Sequence, residues 1–413
     1  MNDIKKPELL APAGDLEKLK IAVLYGADAV YIGGEAYGLR AKAKNFDIET
    51  MKEGINFAHE HGCKVYVTAN IFAHNEDFEG MGEYFKSLSE IGVDAVLVSD
   101  PGVLMTLKEA APDMEIHIST QANNTNYKSA EFWKSMGASR VVCARELSLK
   151  EIKDINKNTK CDIEMEAFVH GAMCISYSGR CLLSNYLSGR DANKGACSHP
   201  CRWKYFLMEE TRPGEYMPVE ENERGTFIFN SKDLCMIQYI PELIEAGINS
   251  LKIEGRMKTA YYVGCIVKAY RQAIDDYFDD PEYYEKRKQY YIDELSKASH
   301  RDFTTGFFFG KPGHNDQVYT NNSYIRNYDF VGIVVEDWDE KTCCATIMQR
   351  NKFVVGDTVE VLAINGDSRE IIVSSLWNED GEPVDSAPHP EQILKIKTDI
   401  PMKKYDMIRM TTK

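Results

Sequence analysis

Short apolar and β-branched runs alternate with longer amphipathic stretches over roughly the first 260 residues. The runs Glu8–Leu10, Ala29–Ile32, Lys64–Val67, Ala95–Val98, Glu115–Ile118, Arg140–Cys143, Asp162–Met165 and Ser250–Ile253 predict strands. Helical patterns separate most of them, as in Ile48–His61 and in Phe78–Ile91, which Gly92 closes as a C-cap. Strands and helices alternating in this number and over this length fit a parallel (β/α)8 TIM-like barrel better than an open sheet. The segment from Cys174 to Ile248 breaks the rhythm. It carries an apolar pair, Tyr205–Met208 and Thr226–Phe229, around a polar loop, and reads as a cysteine-rich insertion over about residues 172–235. After Tyr261 come a helix over Val263–Tyr277, the break Asp279-Asp280-Pro281, and a charged helix over Glu282–Ser299. From about Asp329 the texture turns all-β, with Val331–Val335, Cys344–Met348, Asp357–Val361 and Glu370–Val373 punctuated by Asn365-Gly366-Asp367 and Asp380-Gly381. That spacing predicts a small β-barrel. The expected division is a barrel over 1–278, a helical linker over 279–327 and a C-terminal β-barrel domain over 328–413.

Length and composition sharpen this picture without changing it. A chain of 413 residues holds one large domain and a smaller one. With 44% hydrophobic residues and no apolar run near the roughly 20 residues that cross a bilayer, no membrane role is expected. The start, Met1-Asn-Asp-Ile-Lys-Lys-Pro7, lacks the pattern of a secretory leader, so a cytoplasmic protein is expected. A formal charge of −15 argues against general polyanion binding and leaves room for a local basic groove.

Polar residues follow the strands: Gly33-Gly34-Glu35, Thr68-Ala-Asn70, Ser99-Asp100, Ser119-Thr-Gln121-Ala-Asn123, Arg145-Glu146 and Glu254-Gly255-Arg256-Met-Lys258. In a parallel barrel these ends converge on one face, where catalysis occurs in characterised barrel enzymes. The competing role for Asp100 and Ser119 is capping of the next helix. Arg145, Glu254 and Arg256 point more strongly to a pocket, because buried charges need partners.

Five cysteines, Cys174, Cys181, Cys197, Cys201 and Cys235, crowd the insertion among Gly171, Gly179, Gly189 and Gly195. In a chain without a leader such a cluster reads as metal or iron–sulfur ligation rather than disulfides. Zinc competes, with His170 or His199 as further ligands, although C-x2-C pairs are missing. Cys63, Cys143, Cys161, Cys265, Cys343 and Cys344 read as small buried hydrophobes.

The stretch Glu166-Ala-Phe168-Val-His170-Gly171-Ala-Met-Cys174, with Gly179-Arg-Cys181-Leu-Leu-Ser184, resembles the signature of the U32 peptidase family at every fixed position. Glu8–Gly14, Gly26–Gly33, Ser119–Asn123, Lys252–Lys258 and Arg301–Gly306 are similar to other family segments, so the resemblance spans nearly the whole chain. The family name implies a collagenase-like protease. The residues do not support one: G-x-S-x-G and H-E-x-x-H are both missing. Other members of the family are oxygen-independent hydroxylases acting on a quinone ring, on ribosomal RNA or on tRNA. The resemblance thus implies a [4Fe–4S] cluster on Cys174, Cys181, Cys197 and Cys235, with Cys201 left over as an alternative fourth ligand. It also implies prephenate as a co-substrate, whose carboxylates suit Arg40, Arg145 or Arg256.

A barrel with one small C-terminal domain resembles the tRNA branch, which makes 5-hydroxyuridine at the wobble position. The expected partner is therefore the tRNA anticodon loop, with the base splayed into the barrel mouth. Gln121, Asn123 and Lys258 join the arginines as substrate-binding residues, and Glu166, His170 or Glu254 moves protons. For His170, orientation of the cysteine loop is the competing role. Tyr177, Tyr186, Trp203 and Tyr205 are stacking candidates with core packing as the alternative. The rival functions are a U32-type peptidase and a metal-stabilised RNA-binding module; a protein partner or a homo-oligomer stays open.

Overall fold

The structure is a computed structural model, and it describes residues 5–34, 37–38, 46–173, 182–190, 197–200, 206–207, 217–218, 230–311, 317–318 and 324–412. Eight strands close a parallel barrel: β1 (Glu8–Pro12), β2 (Ala29–Gly33), β3 (Lys64–Ala69), β4 (Ala95–Val98), β5 (Glu115–Ile118), β6 (Arg140–Val142), β7 (Glu164–Ala172) and, beyond the insertion, Ser250–Ile253. That last strand pairs with both β1 and β7, which completes the ring. Before it comes β8 (Asp233–Cys235), so the closing strand is β9. The (β/α)8 expectation holds.

The helices start where the sequence supplies oxygen caps. Asp15 accepts from Lys18 N–H at α1 (Leu16–Leu24), and Asp100 accepts from Gly102 and Val103 N–H at α4 (Pro101–Ala110). Ser148 and Glu151 form a reciprocal capping box at α6 (Leu149–Asn158). Asp280 ends α9 (Ala260–Asp279) and caps α10 (Pro281–Ser296), whose first position is a proline.

Strand β7 is the longest of the barrel, nine residues, because it serves two partners. Its lower half pairs with β6 and β9. Its upper half pairs with antiparallel β8, in the register Asp233↔Ala172 and Cys235↔His170. The pairing with β9 slips between Lys252↔Phe168 and Ile253↔His170, so one extra residue of β7 is accommodated there. Strand β10 (Phe303–Thr304) adds to the outer edge of β8. In the insertion Phe206–Leu207 pairs with Met217–Pro218. The expected strand Thr226–Phe229 lies outside the described residues.

Residues from Tyr328 onward form an eight-stranded antiparallel sheet, a half-barrel in which Tyr328–Asp339 sits between Met407–Thr411 and Cys344–Gln349. It shares a core with the barrel, since Ile333, Leu362 and Met407 belong to the same buried cluster as the barrel strands. Gly264 on α9 makes room for this contact: a Cβ there would lie 2.7 Å from Met407 Cε. At the same junction Arg409 is wholly buried, with Nη2 at 2.7 Å from Glu294 and 2.8 Å from Glu360. Lys297 joins both carboxylates at 2.6 and 2.8 Å. Removing one member of such a group costs about 3–5 kcal/mol.

Candidate active site at the barrel mouth

The interior of the barrel is charged low down. Glu166 has no exposed surface; its Oε1 accepts from Lys252 Nζ at 2.6 Å and its Oε2 from Arg140 Nη1 at 3.2 Å and Ser250 Oγ at 3.3 Å. Arg140 also reaches Glu8 at 2.5 Å and Glu164 at 2.7 Å, and Tyr66 donates to Glu8. Burial opposes the charge on Glu166, but Lys252 and Arg140 outweigh it and hold the carboxyl below its ordinary range. Glu166 lies in the third position of β7, opposite the first residue of β9, and both its oxygens are engaged. Its place is that of an ion-paired residue of the lower barrel, where the sequence reading has it moving protons.

The upper ends of the strands form the mouth. Arg145 lies 3.7 Å from the centroid of the Phe168 ring, donates from Nη1 to Ala172 O at 2.8 Å, and pairs through Nη2 with Glu254 Oε2 at 2.7 Å. It thereby ties the last residue of β7 to the residue that follows β9. Arg256, 5% exposed, donates to Thr68 Oγ1 at 3.0 Å and lies against Gly33, where a Cβ would sit 2.0 Å from its Nη2. Only glycine at position 33 leaves that space. Asn70 Nδ2 donates to Ser119 Oγ at 2.9 Å, and Ser119 also accepts from Gln121 N–H. Asn123 holds a left-handed backbone, φ 54°, which Asn tolerates, and its Nδ2 donates to Gln121 O at 3.1 Å. The buried oxygens Gln121 Oε1 and Asn123 Oδ1 have no hydrogen-bond donor among the described residues. Burial raises the Glu146 carboxyl above its ordinary range, with Arg145 pulling the other way. Gln121, Asn123, Arg145, Glu254 and Arg256 thus belong to one polar mouth, while Asp100 caps α4.

His170 lies behind this mouth, 1% exposed, against Tyr262, Tyr270 and Phe303. Burial, followed by the fields of His300 and Lys258, pulls it down to about 3, so at neutral pH it is a neutral imidazole. That state suits the orienting role better than the proton-donating one. Lys258 stands 4.0 Å from the Tyr324 ring centroid and 4.9 Å from that of Tyr262; Arg301, 4.5 Å from Tyr324, pairs with buried Asp233. Tyr270, Asp233 and His300 escaped the sequence reading. Arg301 had a signal, the motif Arg301–Gly306, but its role needed the fold.

Of the central cysteines, Cys197 and Cys235 are described; Cys174, Cys181 and Cys201 lie outside the described residues, as do Arg40, Tyr177, Trp203 and Tyr205. Cys197 Sγ accepts from the His199 N–H at 3.4 Å. Cys235 is buried, and its backbone pairs with His170 across β7 and β8. Cys63, Cys343 and Cys344 differ, for their thiols donate to carbonyls. Burial pushes the Cys235 thiol up to about 12. Cys197 begins a turn pinned to α7 (Leu183–Ser188): Ser198 N–H donates to Ser184 Oγ at 2.9 Å. Among the described residues no three His, Cys, Asp or Glu side chains are gathered to hold a metal. Nor is any described helix long and apolar enough to cross a membrane.

The model of peptidase family U32 matches residues 14–318, and that of the family's C-terminal domain matches residues 326–409. The chain belongs to peptidase family U32. Its U32 relatives include the tRNA hydroxylation protein P1 of Bacillus subtilis (strain 168), 47% identical over 405 residues, 98% of this chain and 95% of that protein. The tRNA hydroxylation protein P of Escherichia coli (strain K12) is 38% identical over 93% of this chain and 92% of its own length. The 23S rRNA 5-hydroxycytidine C2501 synthase of Escherichia coli (strain K12) is 35% identical over 74% of this chain and 46% of that protein. Mouth and cysteine segment both fall within the span of the U32 family model.

Proposed function

We propose that this chain is a tRNA-modifying enzyme that hydroxylates the wobble uridine to 5-hydroxyuridine by iron–sulfur chemistry, independently of oxygen and with prephenate as co-substrate. The observation that carries the tRNA reading is the near full-length similarity, at 47% identity, to a protein named for tRNA hydroxylation.

What supports the cofactor is the chemistry of the donor set, five cysteines within one segment. Cys197 presents a sulfur that accepts an amide hydrogen, an arrangement that stabilises ligating thiolates. Cys174, Cys181, Cys197 and Cys235 would hold the group, with Cys201 the alternative to Cys235. When bound, a [4Fe–4S] cluster supplies electron transfer beside the mouth. Everything else falls to the chain. The amides of Gln121 and Asn123, whose buried oxygens await N–H donors, suit the edge of a splayed pyrimidine. Arg256, held in place by Thr68 and Gly33, and Lys258, just before the Thr259 cap of α9, suit the carboxylates of prephenate. Glu254, 16% exposed and bound to Arg145, is the mouth carboxylate placed to take or return a proton at its Oε atoms.

The peptidase reading has the family's name behind it, but His59, His117 and His170 do not supply a base at the mouth. His59 and His117 pair with Asp94 and Glu115 away from the mouth, and His170 is a neutral buried ring.

The test combines two measurements on protein purified without oxygen: metal content with absorption spectrum, and the nucleosides of tRNA from cells lacking the gene. The expected result is iron and sulfide in wild type, and 5-hydroxyuridine restored by wild type but not by Cys197→Ser. Stoichiometric zinc without iron overturns the cluster, and unmodified tRNA from wild-type-complemented cells overturns the activity.

A further inference from the structure

Lys258 stands two residues beyond Arg256, where its backbone N–H donates to Gly255 O at 2.8 Å in the turn that leads from β9 to the Thr259 cap of α9. Its ammonium meets two aromatic rings, 4.0 Å from the centroid of Tyr324 and 4.9 Å from that of Tyr262. Among the described residues no carboxylate or carbonyl accepts from it, and Glu254, four residues earlier, is taken up by Arg145. Ring faces attract the charge of an ammonium without satisfying its three directed N–H donors. Those donors stay available to an anion that enters the mouth.

The Tyr324 ring is itself held. Arg301, 4% exposed, lies 4.5 Å from its centroid and is tied to Asp233: its backbone N–H donates to Oδ2 at 3.1 Å, and its Nη1 stands 3.6 Å from Oδ1. Ile325, the next residue, exchanges two backbone hydrogen bonds with His300, at 3.3 and 2.7 Å. One ring thus carries two cations, against the single carboxylate of Asp233. A lysine side chain loses much rotamer freedom when it is fixed. Here the fixing precedes any ligand, which is how a preorganised site gains affinity.

We propose that Tyr324 is a positioning residue for an anionic co-substrate: its ring holds the Lys258 ammonium at the mouth to receive a carboxylate. The inference deepens the proposed function and rests on it in taking a carboxylate-bearing co-substrate at Lys258. An ammonium is a point charge on a flexible stem, able to meet a carboxylate from many directions, and the ring narrows where that charge stands. Tyr324 lies just ahead of the strand that starts at Tyr328, so the connection to the C-terminal sheet contributes to the barrel mouth.

The test uses the full chain and calorimetric titration with prephenate, comparing wild type, Tyr324→Leu, Tyr324→Phe, Lys258→Met and the double variant Tyr324→Leu with Lys258→Met. The expected result is about 10-fold weaker binding in Tyr324→Leu, the worth of one well-placed cation–π contact, and recovery of most of that loss in Tyr324→Phe, which keeps the ring. Adding Tyr324→Leu to Lys258→Met costs nothing further if the ring acts through the ammonium. Undiminished binding in Tyr324→Leu, or a full additional loss in the double variant, overturns the proposal. A second reading needs no ligand: in protein carrying lysine isotope-labelled at Cε, the Lys258 resonance, assigned by its absence from Lys258→Met, must be displaced upfield by the ring current and move back in Tyr324→Leu. A Lys258 resonance at the ordinary lysine position in wild type overturns the proposal, whether or not Tyr324→Leu folds. Wild type that shows the displacement and does not bind prephenate is a different failure, that of the co-substrate's identity, and supports Tyr324 as the holder of Lys258.

Discussion

Glu166→Gln separates an anchoring carboxylate from a proton-moving one. The substitution keeps shape but removes the charge that Lys252, 3% exposed, relies on, and turns an amide N–H₂ toward either Lys252 or Arg140, both donors. Breaking a buried pair by removing one partner costs about 3–5 kcal/mol. Taking about 4 kcal/mol and an unfolding entropy of about 2.1 cal/mol/K per residue, cooperative unfolding of all 413 residues lowers the melting temperature by roughly 5 °C. The dependence on pH has a definite sign. The folded pKa of Glu166 lies below its ordinary 4.5, so the stabilisation is complete above about 4.5 and fades as pH falls through the folded value. Calorimetry at pH 7 and at pH 4 and below is thus expected to show a gap between wild type and variant that narrows in acid. Pairing the change with Lys252→Met tests the same logic, because the double variant leaves no lone buried charge at this pair and loses less than the sum of the singles. A variant that melts within about 1 °C of wild type at pH 7, with activity gone, refutes the anchor and returns Glu166 to the chemistry.

Gly33→Ala is expected to displace the Arg256 guanidinium from Thr68 and to lower 5-hydroxyuridine formation by on the order of 100-fold, read by tRNA nucleoside analysis, with little change in melting. Arg409→Met leaves Glu294 and Glu360 crowded at the domain junction; a loss of about 3–5 kcal/mol and separation of calorimetric melting into two transitions are expected. Lys268, buried and donating to Ala363 O, has its pKa pulled down from 10.5 to about 8 by burial, with Glu294 opposing. The folded state sheds this proton first, so wild type is expected to gain stability over Lys268→Met as pH rises from 8 to 10.5, by up to about 3 kcal/mol, measured by urea unfolding.

The sequence carried the barrel because strands such as Ala95–Val98 and Ser250–Ile253 are short apolar blocks between capped helices; both occur with the expected ends. It misjudged β7, expected over Asp162–Met165 and found over Glu164–Ala172. Glu164 and Glu166 look like surface residues until Arg140 and Lys252 are known to face them. Two late strands, Ile393–Lys397 and Met407–Thr411, escaped notice because their lysines and arginine interrupt the apolar pattern. Arg409 is in fact fully buried. The mouth was legible because any parallel barrel gathers its strand ends. The depth of Glu166 and the partners of Tyr270 were not, since they depend on register and on a helix distant in sequence.

Helix α9 has no idle side. Tyr270 meets β7 and the residue that follows β8, while Lys268 and Cys265, within five residues of it, meet Ala363 and Arg409 of the C-terminal domain. Such a helix is a shared inheritance: drift on one side must be tolerated by two cores at once, so the two domains are expected to diverge in step along it. Grafting this C-terminal sheet onto another barrel therefore means carrying α9 along with it.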